Sequence, residues 1–384
     1  MFIKMKTKSV FLCVVAGFLV LGVNLLSWGA QTRDIDEVRT KPVLDGKDLR
    51  IIDDFVTEAV GELVKSTDFT SIAETRKVIA VRKDSDVASS QGQYSGQFLE
   101  SAGRCISEGV RQAAGFTPDE HRFKVIVNLL ILVNDLEDRR LADIAIGLLD
   151  NENAAVRYWA VQCVCSAGMI QKLNPGQPED AELVARIAAE LGKIIETSRP
   201  EILSVAADFT GLPRVGQGED LLVQIARARI KHYADWSVEY ELLDGKVLKL
   251  LYEKMSSSSS GGSQTGRCFG QLYSYMIQRY IKDLEGDNFL APDSRQQLAS
   301  SLVEIERSCV SRFIGVPQIT IKRGVEQDDA RNLEQEHSRL FGTEQAQGQL
   351  SEKLGSDYGP GPDGKKQTRP LSLPEPPENL PADN

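Results

Sequence analysis

Histidine is nearly absent from this 384-residue chain. There are three, His121, His232 and His337, and none lies within metal-ligand spacing of another or of a cysteine. The sequence therefore signals neither a zinc site nor a histidine metal cluster. His121, beside Asp119 and Glu120, reads as a surface residue in a first helical turn. A nucleophile elbow is missing too: in Gly92-Gln93-Tyr94-Ser95-Gly96 the serine stands one place too late for Gly-x-Ser-x-Gly. No P-loop or dinucleotide fingerprint occurs. The glycines between Gly211 and Gly218 do not follow a predicted strand and lack the Lys-Ser/Thr ending. Carboxylates are abundant, as in Asp53-Asp54 and Asp328-Asp329, but sequence neighbours do not share a helix face. No catalytic, metal-binding or cofactor-binding residue is assigned, and no cofactor is expected.

Basic charge is also short: 45 Lys and Arg stand against 55 Asp and Glu, a formal net charge of −10. Broad nucleic-acid or anionic-membrane binding needs concentrated Lys and Arg, so neither partner is expected. The densest basic group, Arg227, Arg229 and Lys231, reads as a solvated helix face. No Asn-x-Ser/Thr glycosylation site occurs anywhere.

Long apolar runs are scarce, and the clearest stands at the start. Lys4, Lys6 and Lys8 precede a continuous apolar stretch from Val10 to Val23, followed by Ser27-Trp28-Gly29-Ala30. Such a run suits a secretory signal better than a bilayer span, which needs about 20 residues. Residues 1–30 are therefore expected to be a signal peptide cleaved near Gly29 or Ala30, giving a periplasmic or secreted protein. The alternative is an uncleaved anchor, the one route by which a membrane would become a partner. Of the six cysteines, Cys13 falls in this leader. Five remain, an odd number that leaves at least one thiol unpaired within the chain. Cys163 and Cys165, two apart on a helix, point to different faces and do not pair with each other.

What is present is helical periodicity. The densest stretch, Arg139 to Leu212, holds one helix-pair pattern twice. The first copy runs Leu141, Ile144, Leu148, Leu149, a polar break at Asp150–Asn153, then Val156, Trp159, Ala160 and Cys163. The second runs Ile187, Leu191, Ile194, Ile195, a break at Glu196–Pro200, then Ile202, Val205, Ala206 and Phe209. Val156 and Ile202 lie 46 residues apart, within the roughly 40–47 residues of helical-hairpin repeats.

Elsewhere, helical spacing covers Lys47–Lys65, a helix from a Ser71/Glu74 capping box to about Arg82, and Tyr94–Ala114. In Thr117-Pro118-Asp119-Glu120 the threonine caps, the proline takes the first helical position, and the glutamate closes the box. The nearly all-apolar Val125–Val133 that follows is read as a central helix rather than a buried strand, from its start signal and length. A third, degenerate pair spans Val223–Tyr233 and Val247–Leu251. Arg267–Glu285 and Pro292–Ile314 form an antiparallel hairpin. Cys268 and Cys309 stand nearly equidistant from its midpoint near Phe289, which predicts a Cys268–Cys309 disulfide; two buried free thiols is the alternative. Val316–Arg323 alternates enough for a short extended segment.

The expected organisation is a signal peptide over 1–30, a flexible entry over 31–46 and a helical-repeat domain over 47–255. A Ser/Gly-rich linker or loop over 256–266, a helical hairpin and helix over 267–341, and a disordered Pro-rich tail over 342–384 complete it. In that tail Pro374-Glu375-Pro376-Pro377 satisfies a minimal polyproline-ligand pattern but reads as linker.

The segment from Leu141 to Ala160 resembles a HEAT repeat: a leucine-rich first helix, Asp at its end, Val-Arg opening the second helix, and Ala four residues past the Val. The resemblance implies an all-α superhelix of stacked antiparallel helix pairs, armadillo-like stacking fitting nearly as well. It also implies that Asp150 and Arg157 stand in the family's hydrogen-bonded ladder. The second copy departs from the pattern, with Glu196 for the Asp and Leu203 for the Arg. Proteins of this kind are mostly binding scaffolds, and nothing enzymatic transfers with the motif. The function expected is that of an exported, non-enzymatic scaffold for an unknown protein partner. The alternatives are an all-helical hydrolase or lyase with dispersed carboxylates, and a membrane-anchored structural protein. The second helix of a stacked hairpin often lines the concave face, which makes Arg157, Tyr158, Gln162, Glu201, Ser204 and Asp208 the candidate partner surface. Trp159 reads as core; Trp236, among Tyr233 and Tyr240, reads as core or as the wall of a ligand groove.

Overall fold

A computed structural model describes residues 32–377 except 175, 213–214, 216–217, 258–262, 287–288, 356–357 and 360–366. The expected signal peptide and most of the Ser/Gly run lie outside the described residues. The protein is all-α: among the described residues no strand occurs, only one bridge between Gly342 and Gln347. The chain divides into two compact units, with the boundary between Cys163 and Val164.

The first unit starts with a helix over residues 32–39 (α1), where a flexible entry is expected. Composition misleads here because few apolar residues are needed: Ile35 and Val38 are fully buried, one turn apart. Arg82 makes a bidentate pair with Asp36 at 2.9 Å, and Arg39 reaches Asp86 at 2.8 Å, tying α1 to a distant loop. α2 (Gly46–Lys65) opens on a capping box in which Asp45 accepts from Asp48 N, and Asp48 accepts from Asp45 N. α3 (Phe69–Ala80) begins two residues before the predicted start because Asp68, not Ser71, is its cap.

α4 (Gln91–Ala113) lies along α2, joined by Phe55 against Phe98. At Gly109 a methyl would stand 2.9 Å from Val64 and 3.0 Å from Leu129, so the close approach of α2 and α5 requires glycine. α5 (Asp119–Leu136) covers the apolar run at Val125–Val133 and packs on α2, α3 and α4. Pro118 takes the cap position rather than the first turn, and no side chain caps the helix.

The first member of the first predicted helix pair is shorter than its leucines suggest. It consists of a 3₁₀ turn, Arg139–Leu141, and α6 (Ala142–Ile146), then turns. α7 (Ala154–Val164) follows, and Cys163 Sγ donates to Leu130 O at 3.0 Å, fixing it to α5.

In the second unit, α8 (Ala167–Lys172) leads to α9 (Pro178–Ile194) and α10 (Pro200–Gly211), the last two each with proline in the first turn, where its missing N–H costs nothing. Both pack on α11 (Gly218–Ala234). α12 (Leu242–Ser257) and α13 (Ser263–Glu285) follow. α13 is the axis of this unit: α11, α12, α14 (Pro292–Ile305), α17 (Ala330–Phe341) and α18 (Gln349–Leu354) all contact it. It is buried almost all round although it carries Gln271, Ser274, Arg279 and Asp283, because each of these meets a polar or charged partner.

After α14 a π-helical turn, Glu306–Val310, leads into α15 (Ser311–Ile314). The second half of the segment expected to be extended, Val316–Arg323, instead belongs to α16 (Thr320–Glu326). Its start is capped from far away: the buried Glu306 carboxylate accepts from Ile321 N at 2.7 Å and Lys322 N at 2.9 Å. Disorder is expected from Gly342 onward, and two stretches depart from it. α18 buries Leu350, and residues 371–375 lie along α13, held from Gln271, Gln278 and Lys282, with Pro370 and Leu373 buried.

Candidate functional site

Gln271, Ser274, Gln278 and Lys282 are spaced three, four and four residues apart, so they line one face of α13. That face holds the extended chain. Gln271 clamps one residue from both sides: its Oε1 accepts from Leu371 N at 2.8 Å and its Nε2 donates to Leu371 O at 3.1 Å. Two turns on, Gln278 Oε1 accepts from Leu373 N at 2.7 Å, and its Nε2 donates to Leu371 O at 3.4 Å. The N–H groups of Leu371 and Leu373, two residues apart, thus both turn toward α13. Trp236 Nε1 then donates to Pro374 O at 3.2 Å, and Lys282 meets Glu375 at 2.8 Å. The Leu373 side chain is 4 % exposed, worth roughly 1.5–3 kcal/mol of burial, whereas Leu371 is 45 % exposed.

The start of this strap is held by Tyr358. Its N–H donates to Gln367 O, and Gln367 N–H donates to Gly359 O, both at 2.9 Å. Tyr358 is buried against Gly270, where an added methyl would run into the phenol ring, 3.0 Å from Cε1 and Cζ.

Beneath the groove lies a buried set of charges. Arg229 makes a bidentate pair with Asp244 (2.6 and 3.0 Å) and donates to Glu239 O, while Tyr233 Oη donates to Asp244 at 2.9 Å. Burial alone would lower the Arg229 pKa, but the charge and hydrogen bonds of Asp244 reverse this and raise it. The solvated basic face expected at Arg227–Lys231 thus loses its middle member, which is 1 % exposed. Arg279 stands 3.7 Å from Glu241 and faces the rings of Tyr233 and Trp236 at 5.7 and 5.8 Å. Neither Glu241 carboxylate oxygen has a hydrogen-bond partner, and burial pushes this carboxyl upward. Asp283 accepts from Leu290 N and faces Arg295 at 3.4 Å. Three arginines therefore meet three carboxylates. Together they fix the loop that carries Trp236, itself left-handed at φ 56° and edge-on to Phe289.

A second polar chain runs from the groove into the core. Ser274 Oγ accepts from Gln278 Nε2 at 2.9 Å and lies 2.8 Å from His337 Nε2. Ser274 and His337 thus share one hydrogen bond, whose donor is set by the His337 tautomer. Burial pushes the His337 pKa down to about 4, so the ring is neutral at pH 7. Ser274 is fully buried. Glu241 and Glu306, whose carboxyls burial also raises, are each 1 % exposed and closed to a substrate.

The six predicted surface residues form two groups, one in each unit. Arg157 Nη1 donates to the carbonyls of Asn151 (2.6 Å) and Glu152 (3.0 Å), closing its own turn. Tyr158 and Gln162 hydrogen bond to each other at 2.8 Å, and Trp159, expected in the core, is only half-buried. On α10, Lys246 gathers Ser204 (3.0 Å) and Asp208 (2.6 Å), and Glu201 is exposed.

Cys268 and Cys309 are both buried free thiols rather than the predicted disulfide. Counting outward from the hairpin midpoint assumes two uninterrupted α-helices, and the π turn at Glu306–Val310 breaks that symmetry just where Cys309 stands. Trp236, weighed as a groove wall, does face the strap. Gln271, Gln278 and Lys282 carried no motif; their only sequence signal is a polar row at helical spacing beside apolar neighbours.

The first unit has a cleft of about 370 Å³ between the end of α2, α3 and the start of α5, lined by Phe69, Ile72, Pro118, His121 and Lys124 among others. Phe69 is 58 % exposed there, with Lys124 over its ring at 5.1 Å. Among the described residues no group of three His, Cys, Asp or Glu is placed to hold a metal ion, and no helix is long and apolar enough to cross a membrane.

No family model matches the chain, and no curated protein matches it. Among solved structures, the crystal structure of an engineered protein is 14 % identical, covering 84 % of this chain and 92 % of that one, with a TM-score of 0.25. At that score the likeness carries no argument.

Proposed function

We propose that the chain is an exported, non-enzymatic scaffold that binds other proteins through its helical surfaces, with HEAT-like pairs in its middle. The single observation that supports this most is the α13 groove, where side-chain amides grip the main chain of an extended segment. Such a grip suits the capture of polypeptide, since every residue but proline offers the same N–H and C=O. Arg229 and Asp244, which satisfy each other within the fold, and raised carboxyls closed to solvent fit binding better than turnover. Export rests on the Lys-rich start and apolar run of residues 1–30.

The test is isolation of the native chain from an envelope fraction, with N-terminal sequencing. A protein recovered in stoichiometric amount, with a mature start at Ala30 or Gln31, is the expected outcome. Recovery of no partner, together with turnover of a polymer substrate, would overturn the proposal.

A further inference from the structure

The way the strap is held says what else the groove will accept. Of its bonds to α13 and Trp236, those from Gln271, Gln278 and Trp236 all engage main-chain atoms, so they hold any extended backbone at this register. Selection comes from three features. The side chain of Leu373 is buried and demands an aliphatic residue. Pro374 presents its carbonyl to the indole and has no N–H to leave unpaired. Glu375 faces Lys282. Leu371 and Ser372 are exposed and leave their side chains unread.

The strap is also built to exchange. Its one ion pair in the groove is exposed on the glutamate side, 86 % accessible, and such pairs add little. Between Gln367 and Leu371 the backbone makes no helix or strand of its own.

We propose that this groove docks an extended segment of a partner protein, a buried aliphatic residue followed by proline and an acid, and that residues 371–375 of the chain are a tethered stand-in which the partner displaces. The inference rests on the scaffold reading and names its partner class. A short tether gives the strap a local concentration on the order of millimolar. A partner segment therefore meets an apparent affinity reduced by the fraction of time the groove stands open. Weakening the strap, without touching the groove, must strengthen binding in trans.

The experiment titrates a fluorescent peptide of residues 369–377, Arg-Pro-Leu-Ser-Leu-Pro-Glu-Pro-Pro, into the full chain and three variants. Leu373→Asp, and separately the exposed Glu375→Lys, loosen the strap; Gln271→Ala with Gln278→Ala, added to Leu373→Asp, disables the groove. The peptide is expected to bind Leu373→Asp at least about tenfold more tightly than the unaltered chain, and Glu375→Lys by a smaller factor in the same direction. Binding should vanish when both glutamines are lost. Circular dichroism confirms that each variant is folded, and Glu375→Lys, at the surface, serves if Leu373→Asp is not.

Equal binding to all four proteins, or no binding to either loosened form, overturns the proposal. So does a dimer by light scattering that forms only through exchanged straps, which would give the groove to a second copy. If the peptide fails to bind while a native partner is still recovered, this inference falls and the scaffold reading stands. If the peptide binds as expected and no native partner is recovered, the groove's exchangeable strap stands, but the scaffold reading and the docked partner both fall.

Discussion

Asp244 accepts three hydrogen bonds, two from Arg229 and one from Tyr233, at a position that is fully buried. Its removal would leave the Arg229 guanidinium without its counter-charge in an apolar surrounding. Breaking a buried pair from one side costs about 3–5 kcal/mol, so Asp244→Ala should lower the urea midpoint accordingly. Replacing Asp244 and Arg229 together by apolar residues should cost less than the single change. A single change below 1 kcal/mol would mean that the arginine finds water, and that the cluster does not fix the Trp236 loop.

His337 gives a pH signature of defined sign. Its folded pKa, about 4, lies below the unfolded value near 6.5, so between these values the unfolded chain binds more protons. Its contribution is fully present above pH 6.5 and is lost as pH falls toward 4, by about 3 kcal/mol in all. The difference in unfolding free energy between the unaltered chain and His337→Gln should narrow by that amount over this range. The comparison cancels carboxylates common to both, and a difference independent of pH would show His337 to be solvated.

Some helices in this protein are set by partners at long range rather than by local signals. Thr117-Pro118-Asp119-Glu120 is the strongest start signal in the sequence, and a helix does start there, but with Pro118 rather than Thr117 at its cap. Conversely, α16 begins where Glu306 caps it from the preceding helix, and nothing within Val316–Arg323 announces that. α13 shows the same limit more sharply. Its periodicity is legible as one arm of a hairpin, yet its place at the axis of the second unit depends on Gln271, Gln278, Arg279 and Asp283 meeting partners as many as 100 residues away. A row of glutamines on a helix is compatible with a solvated face until the strap is seen on it. The tail was legible only as proline-rich; its large buried residues, Leu350, Tyr358, Pro370 and Leu373, are too few to register in composition.

Gly270 offers the direct test of how strap and helix are coupled. Gly270→Ala would force the Tyr358 ring off α13. A helical alanine is itself favoured over glycine by about 1 kcal/mol, so α13 should persist. Amides of Leu371 and Leu373 should exchange faster with solvent, while those of α12 and α14 stay protected. Unchanged protection at Leu371 and Leu373 would show that the strap is held without Tyr358.

The chain was legible as all-helical because 3.6-residue periodicity survives almost everywhere outside its ends, and that part of the sequence analysis depends on no single contact. Its division was not legible. The two helix pairs that resemble each other most, 46 residues apart at Val156 and Ile202, fall in different compact units, with the boundary between Cys163 and Val164. A shared repeat pattern reports a shared local packing problem and does not require that both copies enter one core. If the units are independent cores, residues 166–384, beginning at the Ser166 cap of α8, should fold alone. That fragment contains α13, every helix that packs on it, and the whole buried charge cluster. It should unfold in one cooperative transition with a urea slope of about 2–3 kcal/mol/M, in proportion to its surface, and should bind the 369–377 peptide as the full chain does. A broad, non-cooperative loss of ellipticity would show that the second core is completed only by residues before Val164.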